Sequence, residues 1–189
     1  MQNISTQSLL WSYPQDHSLE YFSLSEQQDY YLFTGTVVCL LEGEPTRISY
    51  QLRCNWAWET RSVFIQQAQG ERQQEITIAV DQRQRWTLNG EPVAFADGLF
   101  DIDLGVTPAT NTLPIRRLSL KPSESQETTA VWVRFPGLTL EPLHQQYTCL
   151  NHREYVYESF RSGFRADLKV DGDGVVIRYG DLWQRLPRP

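Results

Sequence analysis

The chain has 189 residues, a mass of 22.0 kDa and a formal net charge of -6 at pH 7, with a pI near 5.1. A chain of this length buries roughly 70% of the surface that its unfolded form exposes, so its core needs neither a metal nor a disulfide. The acidic balance and the lack of a basic block interleaved with aromatics argue against nucleic acid as a partner. We predict one domain covering residues 1–189.

The cysteines and the N-terminus bear on the compartment. Cys39, Cys54 and Cys149 have wide, unrelated spacings, which predicts reduced, mostly buried thiols. The N-terminus shows no positive charge followed by an apolar run, and no window approaches the ~20 apolar residues that span a bilayer. We therefore expect a cytoplasmic protein without a transmembrane segment, and we interpret the glycosylation pattern at Asn3-Ile4-Ser5 as a chance match.

The first half of the chain predicts strands joined by tight turns. Apolar and aromatic runs cover Leu9 to Tyr13 and Leu19 to Leu24, and a longer run extends from Asp29 to Leu41. Gly35 lies in the middle of this longer run and predicts a β-bulge where the strand bends. Further on, a strand predicted from Trp56 to Ser62 places its two tryptophans on one face.

Turn signals continue through the second half. Asn89-Gly90 is a strong hairpin signal, because both residues tolerate the positive φ of a type I′ turn. Asp171 to Gly174 resembles the beginning of a calcium loop but lacks the bidentate Glu, so we predict a hairpin turn. Roughly a dozen or more short strands predict a mainly β fold. We expect a long curled antiparallel sheet, a spiral β-roll or barrel-like, because twist makes so long a sheet curl.

The stretch from Asp97 to Leu120 contains the main helix signal. Phe100, Ile102 and Leu104 alternate with Asp101 and Asp103, so a strand here presents both carboxylates on the face opposite the apolar row. Thr107-Pro108 then has the chemistry of a helix start. Pro114 predicts a helix of about two turns that ends near Leu113, with Ile115 to Leu120 extended; a helix continuing to Leu118 is the alternative.

This stretch also carries a resemblance to a known family. Residues 101–118, D-I-D-L-G-V-T-P-A-T-N-T-L-P-I-R-R-L, resemble the signature of the uncharacterised bacterial family described as "putative glycolipid-binding". Trp11, Gln146-Tyr147-Thr148 and Val170 to Val175 agree with it, so the match spans most of the chain. The resemblance implies a sheet wrapped around one short helix, a fold similar to that of bacterial lipoprotein carriers, and a lipid or glycolipid ligand.

Two arginines and two aspartates dominate the candidate chemistry. Asp101 and Asp103 could act as a general acid and base, or they could form structural ion pairs with Arg116 and Arg117 or cap the helix. In the strand interpretation Arg116 shares a face with Leu118 and Leu120, and Arg117 lies opposite. We therefore expect Arg116 to be structural and Arg117 to be the better candidate for a ligand head group.

Aromatic side chains are the second part of the predicted binding site. Trp56, Trp58, Trp86, Trp132 and Tyr147 either line a cleft between helix and sheet or fill the core. The ligand-binding residues that we predict are Arg117, Arg116, Asp101, Asp103, Asn111, Tyr147, Trp56 and Trp86.

Motifs for catalysis or cofactors are missing from the sequence. His17, His144 and His152 lack metal-site spacing, there is no G-x-S-x-G elbow, and no glycine-rich phosphate loop occurs. We predict no catalytic residue, no metal and no cofactor.

These observations lead to three hypotheses about function. The first is a non-enzymatic binding protein for an amphipathic, lipid-like ligand, with glycolipid as the class that the resemblance implies. The second is a hydrolase or isomerase that uses Asp101 and Asp103 with an arginine. The third is an interaction module with a filled core and no ligand. The oligomeric state is left open.

Overall fold

The computed structural model describes residues 6–187, so the Asn3-Ile4-Ser5 pattern lies outside the described residues. Short 3-10 helices cover Pro14–Asp16, Ala94–Ala96 and Ala109–Asn111, and the last of them leads directly into α1 (Thr112–Leu118). The strands are β1 (Thr6–Tyr13), β2 (Ser18–Glu26), β3 (Tyr31–Leu41), β4 (Glu44–Cys54), β5 (Thr60–Gln69), β6 (Arg72–Val80), β7 (Trp86–Leu88), β8 (Glu91–Pro92), β9 (Asp101–Leu104), β10 (Ser125–Arg134), β11 (Thr139–Asn151), β12 (Glu154–Ser159), β13 (Phe164–Val170), β14 (Val176–Tyr179) and β15 (Trp183–Arg185).

The chain forms two compact units. The first comprises the described residues up to Gly98 and from Leu186 on, and the second comprises Leu99–Arg185. In the first unit, strands β1 to β8 lie side by side in sequence order, and each pairs antiparallel with the next. This arrangement follows from the short turns, since a short connection can join only antiparallel neighbours.

One face of the first unit's sheet is an apolar core. Phe22, Gly35, Tyr50 and Ile65 are register partners across four neighbouring strands, and the three side chains among them are buried. At Gly35 the pairing is regular on both sides, so the predicted bulge is wrong. The glycine makes room instead, because a Cβ there would lie 2.2 Å from the Tyr50 ring.

The hairpin prediction at Asn89-Gly90 is confirmed. Both residues have positive φ, 50° and 87°, and they join β7 to β8. The predicted strand from Trp56 to Ser62 is wrong in its first half, because β5 begins only at Thr60. Asn55 holds the preceding turn: its Oδ1 accepts hydrogen bonds from the backbone N–H groups of Ala57 and Glu59, each at 3.0 Å. These bonds replace strand pairing there.

In the second unit the strand order is β15-β14-β13-β12-β11-β10-β9. All pairs are antiparallel except β9 with β10, which is parallel. A parallel pair needs a long crossover, and the segment with the 3-10 helix and α1 supplies it. The hairpin predicted at Asp171 to Gly174 joins β13 to β14, as expected, and Asp171 Oδ1 accepts from the backbone N–H groups of Asp173 and Val175.

The end of the helix differs from the favoured prediction. α1 continues to Leu118, which was the alternative, and Ile115 to Arg117 are helical rather than extended. Pro114 does not stop it because this residue lies in the first turn, where a missing N–H removes no intrahelical hydrogen bond. The Thr107 hydroxyl accepts from the Ala109 N–H at 3.0 Å, so the predicted helix-start chemistry is present.

The predicted fold class, mainly β with a long antiparallel sheet and one short helix, is confirmed. The cysteines are free and buried, as predicted. Within residues 6–187 we find no helix that is both long and apolar enough to span a bilayer. The single-domain organisation and the cytoplasmic location stay predictions.

Candidate functional site

The face of the second unit's sheet that α1 covers collects most of the predicted site residues. Strand pairing places Asp101 opposite Ala130 and Asp103 opposite Trp132, and it continues through Thr128, Gln145, Tyr147 and Tyr157 on the same side of the sheet. We call this side the helix-covered face. The alternation predicted for β9 is therefore present, but the carboxylate side of the strand faces the helix rather than solvent.

Asp101 and Arg117 form a buried ion pair on this face. Arg117 Nε donates to Asp101 Oδ1 at 2.9 Å, and Arg117 Nη2 donates to Asp101 Oδ2 at 2.5 Å. The Thr128 hydroxyl donates to the same carboxylate at 3.0 Å. The Asp101 side chain is 1% exposed and that of Arg117 is 17% exposed. The bidentate geometry suits a guanidinium fork, and it engages both carboxylate oxygens of Asp101.

Asn111 and Tyr147, two further predicted residues, also meet. Asn111 belongs to the 3-10 helix before α1, and its Oδ1 accepts a hydrogen bond from the Tyr147 hydroxyl at 2.8 Å. Its Nδ2 donates to the carbonyl oxygen of Pro108 at 3.1 Å. Both side chains are buried. This contact fastens the helical segment to strand β11, and burial raises the pKa of the Tyr147 hydroxyl well above its usual value.

Asp103 has a different environment from Asp101. Part of its side chain remains accessible to solvent, yet protein surrounds it, and this burial raises the pKa of the carboxyl to about 7. Within residues 6–187 no hydrogen bond or ion pair reaches the Asp103 carboxylate. Its charge acts on the hydroxyls of Tyr147, Tyr157 and Tyr179, whose pKa values burial raises first and Asp103 raises further. Asp103 therefore lies near buried tyrosines and keeps part of its own side chain in contact with solvent.

A cluster of aromatic rings around Tyr157 lies near Asp103. Tyr157 packs against Tyr147, Phe164 and Tyr179, with ring centroids 5.3, 6.1 and 5.8 Å apart. Tyr157 is buried, whereas Phe164 and Tyr179 are half-buried. We call Asp103, Gln145, Tyr157, Phe164 and Tyr179 the aspartate recess.

Gln145 is a site residue that the sequence did not indicate. It is 1% exposed, and its Oε1 has no hydrogen-bond partner among the described residues. Its register partners are Thr128 on one side and Ser159 on the other, and Ser159 pairs in turn with Phe164. In the sequence Gln145 stands between Leu143 and Tyr147 on an inward-facing row, and a polar residue in such a row is the signal that could have found it.

Arg116 does not take part in the helix-covered face that holds Arg117 and Asp101. It is exposed on α1 and lines an open cleft of about 340 Å³ with Ser119, His152, Tyr155 and the turn at 171–174. Gly174 has a φ of 77°, and a Cβ there would lie 2.9 Å from Arg116 Cδ, so the turn packs on the stem of this arginine. The helix thus separates the two arginines, with Arg117 toward the sheet and Arg116 toward this cleft.

The two predicted tryptophans belong to the first unit. Trp86 is 1% exposed and is part of the core. Trp56 is 46% exposed, lies in the turn before β5 and contacts the Tyr31 ring edge-to-face at 4.8 Å. Trp58, in the same turn, stacks on Tyr31 at 4.0 Å.

The comparisons with known proteins identify the family. Residues 8–185 match the family described as "Putative glycolipid-binding", so the chain belongs to this family. Its fold is similar to the crystal structure, at 1.80 Å resolution, of a DUF1089 family protein from Pseudomonas aeruginosa. The two share 32% sequence identity with a TM-score of 0.81, over 88% of this chain and 92% of the other. A comparison with curated proteins gives no match.

Proposed function

We propose that this chain is a non-enzymatic binding protein for an amphipathic, lipid-like ligand of the glycolipid class, and that the aspartate recess receives the ligand. The observation that carries the proposal is the recess itself. It combines partly accessible aromatic rings with polar groups, Gln145 Oε1 and the Asp103 carboxylate, that have no hydrogen-bond partner among residues 6–187. Small-molecule sites combine an apolar wall with a few convergent polar groups in this way.

The rings support the apolar part of the proposal. Phe164 and Tyr179 keep part of their surface in contact with solvent, and Tyr157 packs behind them. Covering aromatic surface stabilises a complex by roughly 25 cal/mol per Å² of apolar area removed from water. An aliphatic chain or the apolar face of a sugar ring could supply that cover.

The family description agrees with this proposal, since it names glycolipid binding for the family to which the chain belongs. The predicted residues Asp101, Arg117, Asn111 and Tyr147 are joined in two hydrogen-bonded pairs at the helix-covered face, and their contact with a ligand stays a prediction. Contact between the ligand and Arg116, Trp56 or Trp86 stays a prediction.

Native mass spectrometry of freshly purified protein, followed by solvent extraction, tests the proposal. We expect a lipid-like species at near-stoichiometric amount, which denaturation releases. The variant Phe164→Ser should lose most of this species while it keeps the β-type circular dichroism of the wild type. A bare polypeptide mass from several expression hosts would instead favour the filled-core interaction module.

A second candidate function, acid-base catalysis, is favoured by Asp103 alone. A carboxyl whose pKa burial raises to about 7 can donate or accept a proton at neutral pH, as a general acid or base must. Incubation of the wild type and of Asp103→Asn with extracted lipids, followed by mass analysis of the products, tests this candidate. Turnover by the wild type that the variant lacks would support an enzyme, and unchanged lipids would leave binding as the function.

A further inference from the structure

We propose that the outer face of strands β1 to β3 is the surface on which two copies of this chain associate. The outer face is the side of these strands opposite the buried row that contains Phe22 and Gly35. This inference goes beyond the proposed function and does not rest on it, because the outer face belongs to the first unit and the aspartate recess to the second.

Exposed apolar side chains form a continuous patch on the outer face. Leu10 lies opposite Tyr21 across β1 and β2, and Leu19 lies opposite Val38 across β2 and β3. Leu40 follows Val38 on the same side of β3. These side chains are between 39% and 54% exposed, and they come from three neighbouring strands. A large exposed apolar patch of this kind marks an interaction site.

The outer face of β1 to β3 carries no charged side chain. Every second residue of these strands points to this side, and apart from the patch these residues are serines, threonines and Leu32. Charged residues make up 21% of the chain, so a face without any is unusual for a surface that only meets water. Depletion of charge together with an exposed tyrosine is the composition found at the centre of protein–protein interfaces.

The hydroxyl groups on this face suit a second copy of the chain. In a two-fold dimer the same patch lies on both sides of the interface, so a charged patch would meet its own charge. A hydroxyl group, in contrast, can both donate and accept a hydrogen bond. Ser8 and Ser23 already form such a hydroxyl pair within the sheet, at 3.3 Å. Thr36 and Ser49 form another, at 3.4 Å. A face of this composition is therefore complementary to a copy of itself.

A bilayer surface fits the same face less well. Peripheral attachment to lipid relies on cations next to the apolar residues and on tryptophan at the level of the head groups. Neither occurs on the outer face of β1 to β3, and Arg47 and Arg53 lie beside it on β4, opposite Val38 and Leu32. With a net charge of -6, the chain as a whole is also repelled by anionic lipids.

The size of the face meets what a specific interface requires. Strands β1 to β4, spaced about 4.8 Å apart and rising about 3.4 Å per residue, cover roughly 19 Å by roughly 30 Å. β4 with its two arginines then forms a polar rim. Two copies would bury about 1,200 Å², which exceeds the ~1,000 Å² that a specific interface needs by only a small margin. We therefore expect a reversible dimer that dissociates on dilution.

Sedimentation velocity over a range of protein concentrations tests the proposal. For the wild type we expect a species of twice the chain mass at about 100 µM, and mostly monomer near about 1 µM. Leu19→Lys places a charge at the centre of the patch on each copy, so its self-association should be about thirtyfold weaker. Leu150→Lys is the matched control, because Leu150 is a 51% exposed leucine of β11, outside the outer face. This control should associate like the wild type.

A mixture of two charge variants tests whether the two faces meet. Leu19→Lys and Leu19→Glu should each be monomeric at about 10 µM, whereas their equimolar mixture should form a heterodimer, because opposite charges then share the interface. A mixture that associates no more than the separate variants would contradict face-to-face pairing. The circular dichroism of each variant should match the wild type, since Leu19 is exposed and points away from the core. If Leu19→Lys does not fold, Tyr21→Lys replaces it, and wild-type association of that variant counts against the proposal.

Three further outcomes would overturn the proposal. A wild type that stays monomeric up to about 100 µM removes the dimer. A dimer that Leu19→Lys leaves intact places the contact elsewhere on the chain. A monomer that floats with phosphatidylcholine vesicles, and that Leu19→Lys releases from them, makes the outer face a membrane contact instead. None of these results changes the amount of lipid extracted from the aspartate recess, which tests the proposed function separately.

Discussion

At the scale of single residues, Asp103 couples the recess to pH. Its pKa is raised to about 7 in the folded protein, whereas an aspartate in an unfolded chain titrates near ~3.9. Between these two values the folded chain holds more protons than the unfolded chain, so this residue lowers the free energy of unfolding as pH rises from about 4 to about 7. Above about pH 7 the contribution of Asp103 to the free energy of unfolding no longer changes with pH. The groups that face it, Tyr147, Tyr157 and Tyr179, have raised pKa values and stay neutral throughout.

We therefore predict that Asp103→Asn stabilises the protein at pH 8 and has little effect at pH 4. The full shift corresponds to about 4 kcal/mol, and the contact of the side chain with water reduces the expected gain to about 2 kcal/mol. Urea unfolding of both proteins at several pH values measures the difference. Asp167→Asn, at an exposed position of β13, gives the effect of removing one negative charge in general. A difference between Asp103→Asn and wild type that is the same at every pH would contradict the prediction.

The Asp101–Arg117 pair leads to a second prediction. Asp101→Asn and Arg117→Met should each cost ~3 to 5 kcal/mol, because each leaves a buried group without its partner. The double variant should cost less than the sum, with a coupling of about 2 kcal/mol. A double-mutant cycle in guanidinium chloride measures this. The same cycle on Glu158 and Arg165, an exposed pair at 3.0 Å, should give a coupling below ~1 kcal/mol. Equal couplings for the two pairs would show that burial is not the cause.

At the scale of elements, the β7–β8 hairpin depends on backbone conformation rather than on packing. Gly90 has a φ of 87° and no atom within 4 Å of the position of a Cβ. Gly90→Ala should therefore cost about 1 kcal/mol from backbone strain alone, which is a fall of a few degrees in the thermal midpoint. Gly172→Ala is the control, since that turn glycine has an ordinary φ and open space around it, and it should shift the midpoint by less than a degree. A loss at Gly172 as large as that at Gly90 would contradict the argument.

Helix α1 shows how an element can differ from its local signals. Pro114 would end a helix that began at Pro108, but the first turn there is a 3-10 helix and α1 begins at Thr112. The proline then falls where its missing N–H has no consequence. The helix is therefore about one turn longer than predicted, and this additional turn contains Arg117, which binds Asp101.

At the scale of the whole molecule, the length of the chain predicts one cooperative domain. If that prediction is right, differential scanning calorimetry should show one transition with an enthalpy of about 130 kcal/mol near 60 °C, from about 0.7 kcal/mol per residue. The van't Hoff enthalpy should equal the calorimetric enthalpy. Two transitions, each with about half of this enthalpy, would instead make the two compact units separate domains.

Local signals accounted for most of the architecture. Period-two alternation predicted strand β9, Asn89-Gly90 predicted the hairpin between β7 and β8, and Asp171 to Gly174 predicted the hairpin between β13 and β14, because strands and tight turns depend on neighbouring residues. The strand prediction at Trp56 and the bulge prediction at Gly35 were wrong, because in both places a side chain from another position determines the local structure. Asn55 replaces a predicted strand with a turn, and Tyr50 explains a glycine that was attributed to a bulge.

The sequence by itself determined the mainly β class, the family and the candidate set that contains Asp101, Asp103, Asn111 and Tyr147. Only the tertiary structure decided how these residues divide. Asp101 is engaged by Arg117 and Thr128, 16 and 27 residues further along the chain, whereas Asp103 stays open beside tyrosines from three other strands. Asp101 and Asp103 flank Ile102 and lie on the same side of one strand, so a local sequence pattern does not distinguish them. Their partners come from long-range strand pairing and from the crossover helix, so the burial that distinguishes them exists only in the folded chain.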